Sequence, residues 1–197
     1  MREEWLNLNG WWKFRLDDKN VGLEQRWFSA IDFESEILAP FSLESAISGI
    51  GDTSFHPCVW YQRPIEVPSE WTGRRIRLNF GAVDYRATVW VNGIVVAWHE
   101  GGHTPFSCDI TGALLPTGNI LVVRAEDPPT DRYIPRGKQH WEASPTSIFY
   151  ARTTGIWQTV WLEPVSFSHL DSIRITSMVD GTVWFPRKSA RRATLSL

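Results

Sequence analysis

Cysteine is scarce in this chain. Cys58 and Cys108 are the only two among 197 residues. That excludes a disulfide framework, and their spacing fits no zinc pattern. Both read as reduced thiols packed as small apolar groups. An excess of charge is also missing: 20 Lys and Arg against 22 Asp and Glu leave a net charge of −2. General attraction to nucleic acid or to an anionic membrane surface is therefore excluded. No apolar run approaches the ~20 residues that span a bilayer. The opening stretch MREEWLNLNG has no apolar signal core, so a cytoplasmic location without membrane contact is the expectation, unless a longer precursor precedes it. Sustained helical periodicity is absent too; residues 24–28 support one short helical turn at most.

What is present is tryptophan, 12 residues against four tyrosines. Indole is flat, large and apolar with a single N–H donor. It suits both a sandwich core and a platform for the C–H face of a sugar ring, and composition does not separate the two. The apolar fraction is 43% and the charged fraction 21%, ordinary for a folded soluble chain. The length suits one good-sized domain, or one domain and part of a second.

Strand signals dominate. Arg75 to Phe80 alternates polar and apolar side chains, as a half-buried strand must. Leu121, Val123 and Ala125 share one face of another strand, with Val122, Arg124 and Glu126 on the other. Residues 88–98 hold Asn92 and Gly93 between β-branched runs, the signature of a two-residue type I′ hairpin turn. Residues 11–16, 59–67 and 156–163 complete the set; the last is apolar on both faces and so central. Many short strands with turn residues between them predict an all-β antiparallel sandwich of jelly-roll type. Residues 127–147 (DPPTDRYIPRGKQHWEASPTS) form a long patternless loop, usually a functional or mobile element. There are no internal repeats.

The character changes after Pro164. A short linker leads into a strand at 172–177, then TVWF, then a basic patternless end. The boundaries this suggests are 1–165 for a complete β-sandwich and 166–197 for a linker and the incomplete first strands of a second. A piece that short buries no core of its own, so it is expected to fray or to lean on the first domain.

Residues 99–103 read HEGGH, the His-Glu-x-x-His pattern of zinc peptidases. That chemistry needs both histidines on one face of a helix. Gly101 and Gly102 each cost a helix about 1 kcal/mol relative to alanine. Pro105 follows closely, a hairpin strand leads in, and no third ligand is evident. The stretch reads as a strand end and a Gly-Gly turn, with no metal site and no cofactor.

The same region carries a family resemblance. GAVDYRATVWVNGIVVAWHEGGHTPFSCDIT is similar to the N-terminal domain of glycoside hydrolase family 2, the group of β-galactosidases, β-glucuronidases and β-mannosidases. LNGWWKF, APFSLES, WYQRPIEVP, RGKQ and TTGIWQTVWLEPV fall in the family's order, so the likeness runs from Trp5 to Pro164. It implies a jelly-roll sugar-binding domain, followed in the family by an immunoglobulin-like sandwich and a TIM barrel with two catalytic glutamates. The family's reaction is retaining hydrolysis of a β-glycosidic bond by two carboxyls ~5 Å apart. Its acid/base glutamate follows an asparagine. Here the six asparagines precede Leu, Gly, Val, Phe, Gly and Ile, so no catalytic residue is carried over. Kinship of fold does not establish activity.

The implied role is that of a non-catalytic support domain, a fragment whose partners are the remaining glycosidase domains and a carbohydrate. A free-standing weak carbohydrate-binding module is the alternative. In the family, one loop of this domain reaches the rim of the active site. The matching segment here, 127–151 and its margin, makes Arg136, Lys138, Gln139, Trp141, Tyr150 and Arg152 the candidate sugar contacts. On the plainer reading, Arg136 and Lys138 are solvated loop charges and Trp141 covers a sheet edge. Some members place a sugar- or sodium-contacting aspartate six residues before the Gly of the Gly-Ile-aromatic motif. Phe149 stands there in this chain, so no metal site is carried over. Asp84 reads as a structural anchor, and Asn92 and Gly93 as turn residues only. A monosaccharide held by a lone loop at roughly 0.3 kcal/mol per non-hydrogen atom binds at millimolar strength. The face toward further domains is expected to expose apolar surface, which favours self-association.

Overall fold

The computed structural model describes residues 2–29, 32–142, 144–184 and 187–190. In chain order the main strands are β1 (Leu6–Asn7), β2 (Gly10–Leu16), β3 (Ser35–Ala39), β4 (Cys58–Ile65), β5 (Arg75–Phe80), β6 (Val83–Asp84), β7 (Arg86–Val91), β8 (Ile94–Glu100), β9 (Phe106–Asp109), β10 (Asn119–Glu126), β11 (Gly155–Ile156) and β12 (Val160–Val165). They form an antiparallel jelly-roll sandwich. A four-stranded sheet runs β1-β12-β5-β9 and faces a six-stranded sheet ordered β3-β2-β4-β10-β7-β8.

The alternation read from the sequence sets the core. On β10, Leu121, Val123 and Ala125 point between the sheets and pair in register with Val91, Val89 and Ala87 of β7. Leu78, Phe80, Val160 and Leu162 of the four-stranded sheet face them. Burying one such side chain contributes about 1.5–3 kcal/mol. Trp12 and Phe14 of β2 pack edge-on to Tyr61 at 6.3 and 5.2 Å. The turn between β7 and β8 has Asn92 at φ 52° and Gly93 at φ 78°, the left-handed pair that a type I′ turn requires. Asn92 does more than turn the chain. Its side-chain amide donates to the Ala113 carbonyl and to Asn119 Oδ1, both at 2.8 Å, and its oxygen accepts from the Ile120 N–H. It thereby ties the hairpin to the start of β10.

A second apolar layer lies on the outer face of the six-stranded sheet. Trp60 and Trp90 stack there at 5.4 Å, with Trp27 and Phe33 over them. The covering segment is held by the buried Asp17 carboxylate, which accepts from the N–H groups of Val21 and Gly22 and from Trp60 Nε1. Residues 24–28 form turns rather than a helix. Both cysteines are free thiols, and burial pushes each up to about 12.

The structure divides the single strand expected at 156–163. Gly155 and Ile156 of β11 pair with Asp84 and Val83 of β6, and β12 resumes at Val160 in the other sheet. Trp157 leaves the ladder between them because its Nε1 donates to the Gly102 carbonyl at 2.7 Å. β12 is central, as its apolar run implied.

Beyond Val165 two nested hairpins follow. β13 (His169–Ile173) pairs with β16 (Arg187–Ala190), and β14 (Thr176–Ser177) with β15 (Val183–Trp184). Ile173, Ile175, Met178 and Trp184 are exposed on them. Arg77 meets Asp171 at 2.7 Å and Arg2 donates to the Leu170 carbonyl, linking this segment to the sandwich. Of the patternless basic end, residues 185, 186 and 191–197 lie outside the described residues.

Candidate functional site

Three segments converge beside β6: the turn after β8, the loop 127–151, and the return through 152–157. Their anchor is Asp84, only 2% exposed. Gln139 Nε2 donates to Asp84 Oδ2 at 2.7 Å, while Gln139 Oε1 accepts from the Thr153 N–H at 2.7 Å. One amide therefore joins the loop and the return segment to β6, and the reading of Asp84 as a hydrogen-bond anchor matches this geometry. Burial, reinforced by the nearby Asp127 charge, pushes the Asp84 carboxyl up to about 7. Asp127 is itself raised by burial and accepts from Thr154 Oγ1 at 3.1 Å. Gly102 packs directly on the Asp84 carboxylate, and a Cβ there would overlap Oδ1.

The HEGGH residues are employed differently from a metal site. β8 continues to Glu100 and the glycines make the turn, so no helix is present. His99 Nε2 lies 3.2 Å from the Gly101 carbonyl and 3.1 Å from Thr104 Oγ1, and the ring stacks on Phe106 at 4.3 Å. Glu100 accepts from Tyr85 Oη at 2.9 Å and from Arg86 Nε at 3.1 Å. His103 is exposed and meets Trp157 edge-on at 5.7 Å.

The six residues singled out in the sequence divide by environment. Arg136 is buried, and its guanidinium donates to the carbonyls of Pro128 (2.9 Å), Pro129 (3.2 Å) and Asp131 (2.6 Å). It staples the loop to itself. Gln139 is buried in the junction just described. Arg152 donates to the carbonyls of Thr53 and Ser54 and lies 4.1 Å over Phe55, facing a different depression beside Glu44. Trp141 packs against His140 and Phe149, with Arg132 over its ring at 4.7 Å. Lys138 and Tyr150 are exposed, with Lys138 Nζ 5.9 Å from the Tyr150 ring. Backbone bonds from Tyr150 N to Lys138 O (2.8 Å) and from His140 N to Tyr150 O (2.9 Å) hold the two arms of the loop together.

Arg136, Lys138, Gln139 and Tyr150 come together around one cleft of about 390 Å³, whereas Trp141 and Arg152 do not line it. Besides Ala151, which lies at the edge of the loop, its other walls are His103, Thr153 and Trp157. Sequence reasoning did not select these three. Trp157 lies within the quoted TGIWQ motif and His103 within HEGGH, so both were visible without their location being so. The size and the mixed lining fit a small polar ligand.

The family model described as "Glycosyl hydrolases family 2, sugar binding domain" matches residues 5–143. The beta-glucuronidase of Canis lupus familiaris is 31% identical over 199 residues, covering 88% of this chain and 30% of that protein. That of Felis catus is 40% identical over 114 residues, covering 53% and 18%. Among solved structures, Ruminococcus gnavus beta-glucuronidase in complex with uronic isofagomine superposes with a TM-score of 0.76 at 21% identity, over 98% of this chain and 34% of that one. An uncultured Clostridium sp. beta-glucuronidase gives 0.71 at 24% identity, over 96% and 34%. These structural likenesses concern the fold. The chain spans about a third of the length of the relatives it matches.

Proposed function

Because this chain belongs to the sugar-binding domains of glycosyl hydrolases family 2, we propose that it is the non-catalytic, sugar-contacting domain of a retaining β-glycosidase that acts on β-glucuronides. Hydrolysis with retention needs two carboxyls flanking the scissile bond. Two buried carboxylates bonded to residues of this junction are committed elsewhere: Asp84 sits behind Gln139, and Asp127 is buried against Thr154. On this reading the acid pair resides in another domain of the parent enzyme, and this domain supplies one wall of the substrate site.

The observation that carries the proposal is the division of labour in the loop. Arg136 and Gln139 fix its backbone, and that fixed backbone presents Lys138 and Tyr150 to the cleft opposite His103 and Trp157. Lys138 offers a cation to a uronic acid carboxylate, worth about 0.2–1 kcal/mol at so exposed a place. Trp157 offers a ring face, its N–H being held by the Gly102 carbonyl, and Tyr150 offers a ring and a hydroxyl.

Titrating the isotopically labelled chain with D-glucuronic acid tests this. The expected result is NMR shifts confined to Lys138, Tyr150, Thr153 and the Trp157 indole, with millimolar affinity, and no release of nitrophenol from p-nitrophenyl β-glucuronide. Enzyme-like turnover by this chain overturns the non-catalytic role. Saturating sugar that moves none of these resonances overturns the cleft.

A further inference from the structure

A second cleft adjoins the first. It has a volume of about 440 Å³ and is lined by Tyr85, Trp98, Glu100, His103, Thr104 and Pro135. His103 is a wall of both clefts, and Pro135 and Arg136, neighbours in the loop 127–151, contribute to one each. The HEGGH turn and the 135–139 stretch thus form a ridge with an opening on either side. Gly137 lies on that ridge, where an added Cβ would sit 3.7 Å from His103 Nε2.

Trp98 dominates the second cleft. It is 64% exposed, although it lies on a well-formed strand in register with Thr88. An indole left that open costs apolar hydration without serving the core. Around it stand groups that exchange hydrogen bonds with hydroxyls. The Glu100 carboxylate accepts one bond at each oxygen, from Tyr85 and Arg86, and its oxygens have further acceptor capacity. The His103 ring and the Thr104 hydroxyl stand beside it. The two clefts differ in charge: Lys138 and Arg136 line the first, whereas the second is lined by Glu100, which is ion-paired with Arg86, and by no Lys or Arg.

We propose that the second cleft is a subsite for a neutral pyranose, the unit β-linked to an acidic sugar held in the first cleft. The C–H face of the neutral ring stacks on Trp98, and its hydroxyls donate to Glu100 and exchange hydrogen bonds with His103 and Thr104. The lining of the second cleft offers no Lys or Arg to a uronic acid carboxylate, whereas Lys138 of the first does, so that difference sets the direction in which a disaccharide lies. This inference rests on the function proposed for the first cleft and extends it to the neighbouring sugar.

The test uses the full 197-residue chain and two probes: D-glucuronic acid, and an aldobiouronic acid with its uronic unit at the non-reducing end. Of the two indoles, the monosaccharide is expected to move that of Trp157 and not that of Trp98, and the disaccharide to move both. Trp98→Ala is expected to weaken disaccharide binding roughly tenfold while leaving the monosaccharide affinity and the urea midpoint unchanged. Trp98→Tyr, which keeps a ring, is expected to recover part of the loss. If the disaccharide moves Trp157 but not Trp98, or if Trp98→Ala leaves its affinity unaltered, the second subsite is wrong and the first cleft stands. If neither probe moves either indole, both are wrong.

Discussion

The sandwich interior and the loop 127–151 solve the same problem, ordering a chain, by opposite means. Between the sheets, order comes from apolar alternation: Leu121, Val123 and Ala125 are each buried, and any side chain of similar volume and apolarity at these sites would serve. In the loop, order comes from buried polar groups. Arg136 and Gln139 are 8% exposed, yet one is a cation and the other an amide. They are tolerated there because most of their polar atoms have fixed partners: three carbonyls accept from the terminal nitrogens of Arg136, whose Nε alone lacks a partner, and the Gln139 amide bridges Asp84 and the Thr153 N–H. The sandwich is therefore a redundant structure, and the loop is one that depends on single atoms. A site that must hold a few side chains at set positions is better served by the second kind of order.

Substitutions sharpen that contrast. The largest effect is expected in the sandwich. Trp12→Ala removes a 1% exposed indole and leaves the Leu8 carbonyl without its donor. A loss of about 3–5 kcal/mol is expected, read from the urea midpoint, with the cleft unchanged in whatever fraction remains folded.

The loop side answers to pH. The Asp84 carboxyl is raised to about 7 when folded, against 3.8 as the ordinary value. The folded chain therefore binds the proton more tightly than the unfolded chain does. The stability Asp84 contributes is full below pH 3.8 and is lost as pH rises toward 7. Asp127, also raised, acts in the same direction. Thermal unfolding of wild type is expected to show this decline, and Asp84→Asn to flatten it. A wild-type curve that rises across that window would contradict the assignment.

Two smaller effects follow at the junction. Gly102→Ala places a methyl group on the Asp84 carboxylate. It is expected to cost about 1–3 kcal/mol and to displace Gln139, so that the sugar response is lost along with stability. Arg136→Met frees three carbonyls and is expected to cost about 1–2 kcal/mol. Because the bonds are local, limited proteolysis within 127–138 is expected to accelerate more than global unfolding does. Equal acceleration of both would show that the loop and the sandwich unfold as one unit. Last, Lys138→Ala is expected to leave stability within about 0.5 kcal/mol while weakening glucuronic acid binding two- to fivefold, measured by NMR titration.

The strands were legible for the reason the sandwich is redundant. A half-buried strand writes its two faces into alternate residues, and a type I′ turn demands Asn92 and Gly93 or close substitutes. The site was legible only in part. Lys138 and Tyr150 stood out as a charge and a ring in a long loop, and they do face a cleft. Arg136 and Gln139 stood out for the same reason but support the loop from within, because a donor bound to a backbone carbonyl looks no different in sequence from one held out to solvent. His103 and Trp157 were readable as letters, yet not as neighbours.

By itself, then, the sequence determined the all-β class, the hairpin, the central apolar strand and the position of the long loop, since each follows from local periodicity or turn chemistry. Only the tertiary structure decided which polar side chains are pinned and which are free. Nothing local encodes that Gln139 meets Asp84 55 positions away, or that Trp157 turns from its strand toward Gly102. Such contacts arise when the sheets close and bring distant segments to one end of the sandwich.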